Sequence, residues 1–209
     1  MSYPCSRSIV SPVQRALALL FVLLLFSPVS LLTTSTPALA QTTPVTWYVS
    51  PAGNDSNDCR TPDQTCQTIG AAIAKAADGD TIRIAGGLYN ENLVIDKRLT
   101  LIGEGEATTI IDGGQNDSVV RTGAFGQVIG TIVIKQVTLT NGAAVGGGGL
   151  LNLADTTLRI EQSRITGNRA TRDGGGVSNQ GTLTMIAVTP RATRGSATQA
   201  KSRAAKRRQ

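Results

Sequence analysis

Apolar residues recur at every second position in a series of short runs, such as Ile82-Arg83-Ile84 and Ile132-Val133-Ile134, and many of them are β-branched. Helical period is absent there, so the runs predict strands. The segment Gly147-Gly148-Gly149-Leu150-Leu151-Asn152 returns as Gly174-Gly175-Gly176-Val177-Ser178-Asn179 at a spacing of 27. The two copies are followed by the strand-like Thr157-Leu158-Arg159-Ile160 and Thr182-Leu183-Thr184-Met185. They are preceded by alternating runs that end in glycine and asparagine, Val137 to Gly142 and Ser163 to Asn168. A unit of this length cannot bury its own apolar face and must stack on a neighbour. A coil of roughly 25 residues at about 3.3 Å per residue has room for three short strands and three turns. The pattern therefore predicts an all-β, right-handed parallel β-helix with Asn and Gly at its corners, where φ > 0 is often required. The competing architecture is an antiparallel meander with hairpins at Asn141-Gly142 and Gly167-Asn168.

One stretch breaks the alternation. From Thr68 to Ala77 the apolar residues Ile69, Ala72, Ile73 and Ala76 follow a helical stripe, with Thr68 as N-cap and Gly79 as the C-terminal stop. A helix directly before the first coil would cover the open end of the solenoid. The expected organisation is a signal peptide over residues 1–40, an N-terminal strand, disulfide loop and cap helix over 41–80, β-helix coils over 81–188, and a disordered basic tail over 189–209.

The first segment rests on the apolar run from Ala16 to Phe26, preceded by Arg7 and Arg15 and followed by Thr36-Pro37-Ala38-Leu39-Ala40. This is the layout of a secretory signal with an Ala-x-Ala cleavage site. It places the mature protein outside the cell or on its surface, with no membrane segment after cleavage. The formal net charge of +6 gives a false picture of the folded part, because seven of the twenty Lys and Arg residues lie between Arg191 and Arg208, where no acid occurs. Between Gln41 and Pro190 eleven bases face all fourteen acids, a net charge of −3, and nothing there favours nucleic acid. The tail lacks the apolar residues needed to offset its ordering entropy. It reads either as a polyanion-docking segment or as an out-of-frame continuation of a truncated solenoid. The abrupt loss of the repeat after Thr182 favours the second, and it would leave the last apolar rung exposed to self-association.

Cys59 and Cys66 are the cysteines that remain after signal removal, and export favours a disulfide between them. Two thiols without any histidine make a poor zinc site. Such a short loop stabilises by about 2–3 kcal/mol on the loop-entropy model. No cofactor is expected. The nearest candidate is calcium at Asn54-Asp55-Ser56-Asn57-Asp58, which lacks the full calcium-loop pattern and reads first as a surface turn. The glycine triplets are not phosphate loops, because no Gly-Lys-Ser/Thr follows them.

The ordered set Trp47 to Asp55, Thr68-Ile69 with its helix, Gly79-Asp80-Thr81-Ile82, Gly87-Leu88-Tyr89 and Leu99 to Gly103 resembles the N-terminal part of secreted bacterial right-handed β-helix proteins of the pectin-lyase-like superfamily. The later Gly-Gly-Gly-aliphatic-x-Asn coils are similar to those of bacterial surface β-helix proteins, including the polymorphic outer-membrane type. The resemblance spans residues 46 to 186 and implies fold and export. Its members range from polysaccharide lyases and esterases to adhesins, so activity must come from the site.

A lyase or esterase needs at least two acids and one base converging on a sheet face. The candidates are Asp96 with Lys97 and Arg98, Asp112, Asp117 with Arg121, and Asp155 with Arg159. Each is equally explained as a charged or glycine-flanked corner. Trp47 and Tyr48 read as cap and core. No catalytic residue is assigned, and the residues singled out are the disulfide pair and the repeat positions Gly147, Gly148, Gly149, Asn152, Gly174, Gly175, Gly176 and Asn179. The expected function is an exported non-catalytic β-helix scaffold binding an extracellular polysaccharide or a surface protein. The alternative is a polysaccharide-active enzyme of the pectate lyase or pectinesterase type, or a fragment of one.

Overall fold

The computed structural model describes residues 43–124 and 126–190. The expected signal peptide, and the basic tail beyond Pro190, lie outside the described residues. Strand β1 (Thr46–Val49) and helix α1 (Ile69–Lys75) precede the coils. The first coil holds β2 (Thr81–Ile84), β3 (Gly87–Asn90) and β4 (Leu93–Ile95). The second holds β5 (Thr100–Gly103), β6 (Thr109–Asp112) and β7 (Val120–Thr122). The third holds β8 (Gly130–Lys135), β9 (Thr138–Thr140), β10 (Ala143–Gly146) and β11 (Leu150–Asn152). The fourth holds β12 (Thr156–Glu161), β13 (Arg164–Thr166), β14 (Arg169–Asp173) and β15 (Val177–Asn179), and β16 (Thr182–Ile186) and β17 (Thr189–Pro190) follow.

Every third or fourth strand stacks on its counterpart one coil earlier. The first sheet runs β1-β2-β5-β8-β12-β16, the second β3-β6-β9-β13-β17 and the third β4-β7-β11-β15, while β10 and β14 form a separate ribbon. All pairings between named strands are parallel, as in the pairs β1–β2, β8–β12 and β12–β16, so the meander is excluded and the fold is the parallel β-helix. Parallel crossovers of this kind are almost always right-handed.

The alternation explains the core. In the first sheet Trp47, Ile82, Leu101, Ile134 and Ile160 occupy one register column and all are buried. Tyr89, Ile111, Leu139 and Ile165 form the matching column of the second sheet. Each such side chain contributes about 1.5–3 kcal/mol by leaving water. In the third sheet, apolar Ile95 gives way to Thr122, Asn152 and Asn179 along one column. Thr122 Oγ1 donates to Asn152 Oδ1 at 2.6 Å, and Asn152 Nδ2 donates to Asn179 Oδ1 at 2.7 Å. These polar groups satisfy one another, as burial demands.

The glycine triplets lie directly before β11 and β15, packed one above the other. Gly147 and Gly174 have φ of +67° and +56°, in the left-handed region. A Cβ on Gly149 would stand 2.6 Å from both Asn168 Nδ2 and Gly176 O, so the coils can approach this closely only without side chains.

Helix α1 ends sooner than its apolar stripe. Thr68 is the N-cap, accepting from Ala71 N, but the helix closes at Lys75 rather than at Gly79 because Ala76 turns extended. Lys97 Nζ then donates to the terminal carbonyls of Ile73, Ala74 and Ala76 at 3.0, 3.3 and 2.9 Å. A cation at this end also opposes the helix dipole. At the other end the Glu91 carboxylate accepts from Ile69 N and Gly70 N. Among the described residues no helix is long and apolar enough to cross a membrane.

Candidate functional site

Of the acids expected as possible catalysts, Asp112 and Asp117 are occupied with local structure. Asp112 Oδ1 accepts from Gly114 N and from Asn141 Nδ2, Asp117 accepts from Ser118 N, and Lys97 beside exposed Asp96 is committed to capping α1. Asp155 sits in a turn with φ of +61°, while Arg159 is paired with Glu161. The possible calcium loop is likewise bonded within its own turns and to the start of α1. Asn54 Oδ1 accepts from Ser56 N, Asp58 Oδ1 from Arg60 N, and Asp55 from Gln67 N, Thr68 N and Thr68 Oγ1. Burial pushes the Asp55 carboxyl up, but these bonds and the nearby Lys75 charge outweigh it and hold its pKa below the ordinary value. Among the described residues no group of three His, Cys, Asp or Glu side chains could hold a metal.

The outer face of the first sheet is different. Side chains that point away from the core on β1, β2, β5 and β8 bring Tyr48, Arg83, Ile102 and Lys135 into one register column. At the ends of these strands lies a groove of about 540 Å³ whose lining includes Tyr48, Arg83, Glu104 and Gln136. Strand spacing near 4.8 Å makes its length, from β1 to the rung of β8, about 14 Å. The strand period explains the content: Trp47 points inward and is buried, with Nε1 donating to Asp80 Oδ2 at 2.8 Å, so its neighbour Tyr48 must point outward. Trp47 is thus core as expected, and Tyr48 is not.

The groove presents a cation on Arg83, a carboxylate on Glu104, an amide on Gln136 and the Tyr48 ring. Among the described residues Glu104 is the one acid of its lining. Further along the same face the Glu161 carboxylate is bonded by Arg159 and lies 3.5 Å from Lys135 Nζ. The Arg159 hydrogen bond, with both cationic charges, holds the Glu161 carboxyl below its ordinary value. Under the groove Tyr89 donates from its hydroxyl to Ala85 O at 2.9 Å. Burial first, and then the Glu104 and Glu91 charges, push the Tyr89 phenol pKa up, which keeps it protonated.

The wall beside β1 is the disulfide loop. Cys59 and Cys66 are bonded and fully buried, with Cα atoms 5.1 Å apart. Pro62 and Thr65, from the hexapeptide between them, face the groove. The two cysteines announce the disulfide, whereas the groove has no motif of its own in the sequence. The alternation Ile82-Arg83-Ile84 was the available signal, since it fixes Arg83 on the outside.

No family model matches the chain, and no curated protein matches it. Among solved structures it is similar to pectin methylesterase PemA from Erwinia chrysanthemi, with a TM-score of 0.52 and 18% identity over 71% of this chain and 50% of that one. It is also similar to a mutant pectin methylesterase in complex with a hexasaccharide, with a TM-score of 0.51 and 17% identity over 71% of this chain and 50% of the other. The chain thus spans about half the length of these structures. At such identities the likeness is one of fold, and the fold shared is the parallel β-helix.

Proposed function

We propose that the protein acts on a polysaccharide, which lies on the outer face of the first sheet in the groove between Tyr48 and Gln136. The observation that carries this reading is the groove itself, an open channel on a parallel β-helix that combines an aromatic ring with hydrogen-bonding groups of both polarities. Sugars offer an apolar ring face and a rim of hydroxyls, and an aromatic side chain with polar neighbours recognises both. Arg83 adds a planar, permanently charged donor suited to a carboxyl or ester group on the sugar. The disulfide is consistent with a protein that works in an oxidising, extracytoplasmic compartment.

Ester hydrolysis is the reaction class we favour, because the fold neighbours are pectin methylesterases. In this groove Glu104 would take a proton from a water molecule whose oxygen attacks the ester carbonyl carbon. Arg83 and the Gln136 amide would donate to the oxygen that gains negative charge. The ester C–O bond breaks, the alcohol leaves with the proton returned by Glu104, and the carboxylic acid that remains gives its own proton to solvent.

The second reading is a glycan-binding scaffold without catalysis, and the observation favouring it is that, among the described residues, the groove lining carries a single carboxylate. One experiment separates the two. Methyl-esterified polygalacturonate is incubated with the wild type and with Tyr48→Ala, Arg83→Ala and Glu104→Gln, and both retention of the polymer and released methanol are measured. Esterase action predicts methanol release that is lost in Glu104→Gln while polymer binding persists. Binding without methanol leaves the scaffold, and binding that Tyr48→Ala and Arg83→Ala do not weaken overturns the groove as the site.

A further inference from the structure

The groove is asymmetric along the solenoid axis. On the side of β1 away from β2, the backbone of the disulfide loop takes the place of a further strand: Tyr48 N donates to Cys59 O at 2.8 Å and Cys66 N donates to Tyr48 O at 2.9 Å. Val49 and Cys66 form a parallel bridge, and Ser50 N donates to Cys66 O at 2.9 Å. Pro62 and Thr65 rise from this loop onto the lining beside Tyr48. At the other end the same face continues over β8, β12 and β16, with Lys135, Arg159 and Glu161 on its outer side.

The wall is held in place from several directions. The disulfide closes its base, the Arg60 guanidinium lies 5.2 Å from the centroid of the Trp47 ring, and Asn57 Nδ2 donates to Thr65 O at 2.9 Å. Lys75 Nζ, on the cap helix, donates to the carbonyl of Asp55 at 2.7 Å and to that of Asn57. A wall braced in this way cannot swing aside to let a polymer pass through, because each contact would have to break first.

We propose that the groove takes the terminus of a polysaccharide chain: the terminal sugar stacks on Tyr48 against Pro62 and Thr65, and the rest of the polymer leaves over β5, β8 and β12. The disulfide loop is then a specificity determinant that selects chain ends over internal segments. This inference rests on the polysaccharide-active reading given above.

The test uses the wild-type protein and one batch of methyl-esterified polygalacturonate, half of it partially depolymerised. The two samples are compared at equal mass, so that they differ in the number of chain ends and not in the amount of sugar. End recognition predicts that the protein bound per mass of polymer rises in proportion to the number of ends. Equal binding to both samples overturns the inference and leaves the polysaccharide reading intact, whereas binding to neither overturns both. The double variant Pro62→Ala with Thr65→Ala lowers the wall and retains the disulfide. It is expected to gain binding on the undegraded polymer at unchanged melting temperature. No gain there rejects the wall as the cause, whatever the wild type shows.

Discussion

Asp80 is the most informative position to perturb, because one buried carboxylate holds the first strand, the cap helix and the start of the first coil together. It is 3% exposed, and it accepts from Val45 N, Trp47 Nε1 and Ala77 N, each at 2.8 Å. Burial alone would raise its pKa. The three hydrogen bonds and the Arg60 charge outweigh burial and hold the pKa below the ordinary 3.8. Hydrogen bonds to a charged group contribute about 1.5–3 kcal/mol each, though not additively. Asp80→Ala strands the buried indole N–H, while water can reach the two backbone donors, so the expected loss is about 3–4 kcal/mol. Asp80→Asn keeps one acceptor oxygen and should lose about half of that.

Trp47 is the sole tryptophan and contacts the perturbed group, so urea unfolding followed by its fluorescence reads the effect directly. A group whose folded pKa is lowered stabilises fully above its unfolded value and loses that contribution as pH falls through the folded one. The gap between wild type and Asp80→Ala should therefore be constant above about pH 5 and narrow below about pH 4. A loss under about 1 kcal/mol at neutral pH, or a gap that widens in acid, would refute the assignment of Asp80 as the fastener of this end.

Other positions give sharp expectations. Gly149→Ala should destabilise by about 2–3 kcal/mol in thermal or urea unfolding, because the new Cβ meets Gly176 O and Asn168 Nδ2 in the neighbouring backbone and corner. Asn152→Ala leaves Thr122 Oγ1 and Asn179 without their shared partner, and should lower stability by about 2–3 kcal/mol, whereas Asn179→Ala at a half-buried position should lose less. Replacing Cys59 and Cys66 together by alanine should lower stability by about 2–3 kcal/mol on the loop-entropy model and raise retention of the undegraded polymer, since Pro62 and Thr65 would no longer be fixed as a wall beside Tyr48.

The later coils were legible because their pattern is local. Alternating residues such as Leu158 and Ile160 set the inward face, and the glycine triplets set the corners that let β11 and β15 stack. The earlier coils carry less of this signal. Thr81 lies opposite Thr100 after a short coil, but Thr100 lies opposite Val133 after a long one, so no fixed period marks them. The β10–β14 ribbon was hidden for a related reason, since Val145 and Arg169 to Asp173 face outward and leave no alternation to read. The groove was invisible as a motif because it is assembled across rungs. Tyr48, Arg83, Glu104 and Gln136 belong to four successive levels, and only the parallel register brings them together. The charged candidates seen in the sequence are neighbours along the chain, and the fold spreads them over turns and different sheets, with Arg121 on β7 and Arg159 on β12, rather than converging them on one face.

The most direct test of the account is a crystal structure of the wild-type protein with a methyl-esterified oligogalacturonide. The account predicts sugar density in the groove, with one ring against Tyr48, a carboxyl or ester group at Arg83, and the terminal unit abutting Pro62 and Thr65. An oligosaccharide bound to a different sheet, or a groove left empty at saturating ligand, would contradict it.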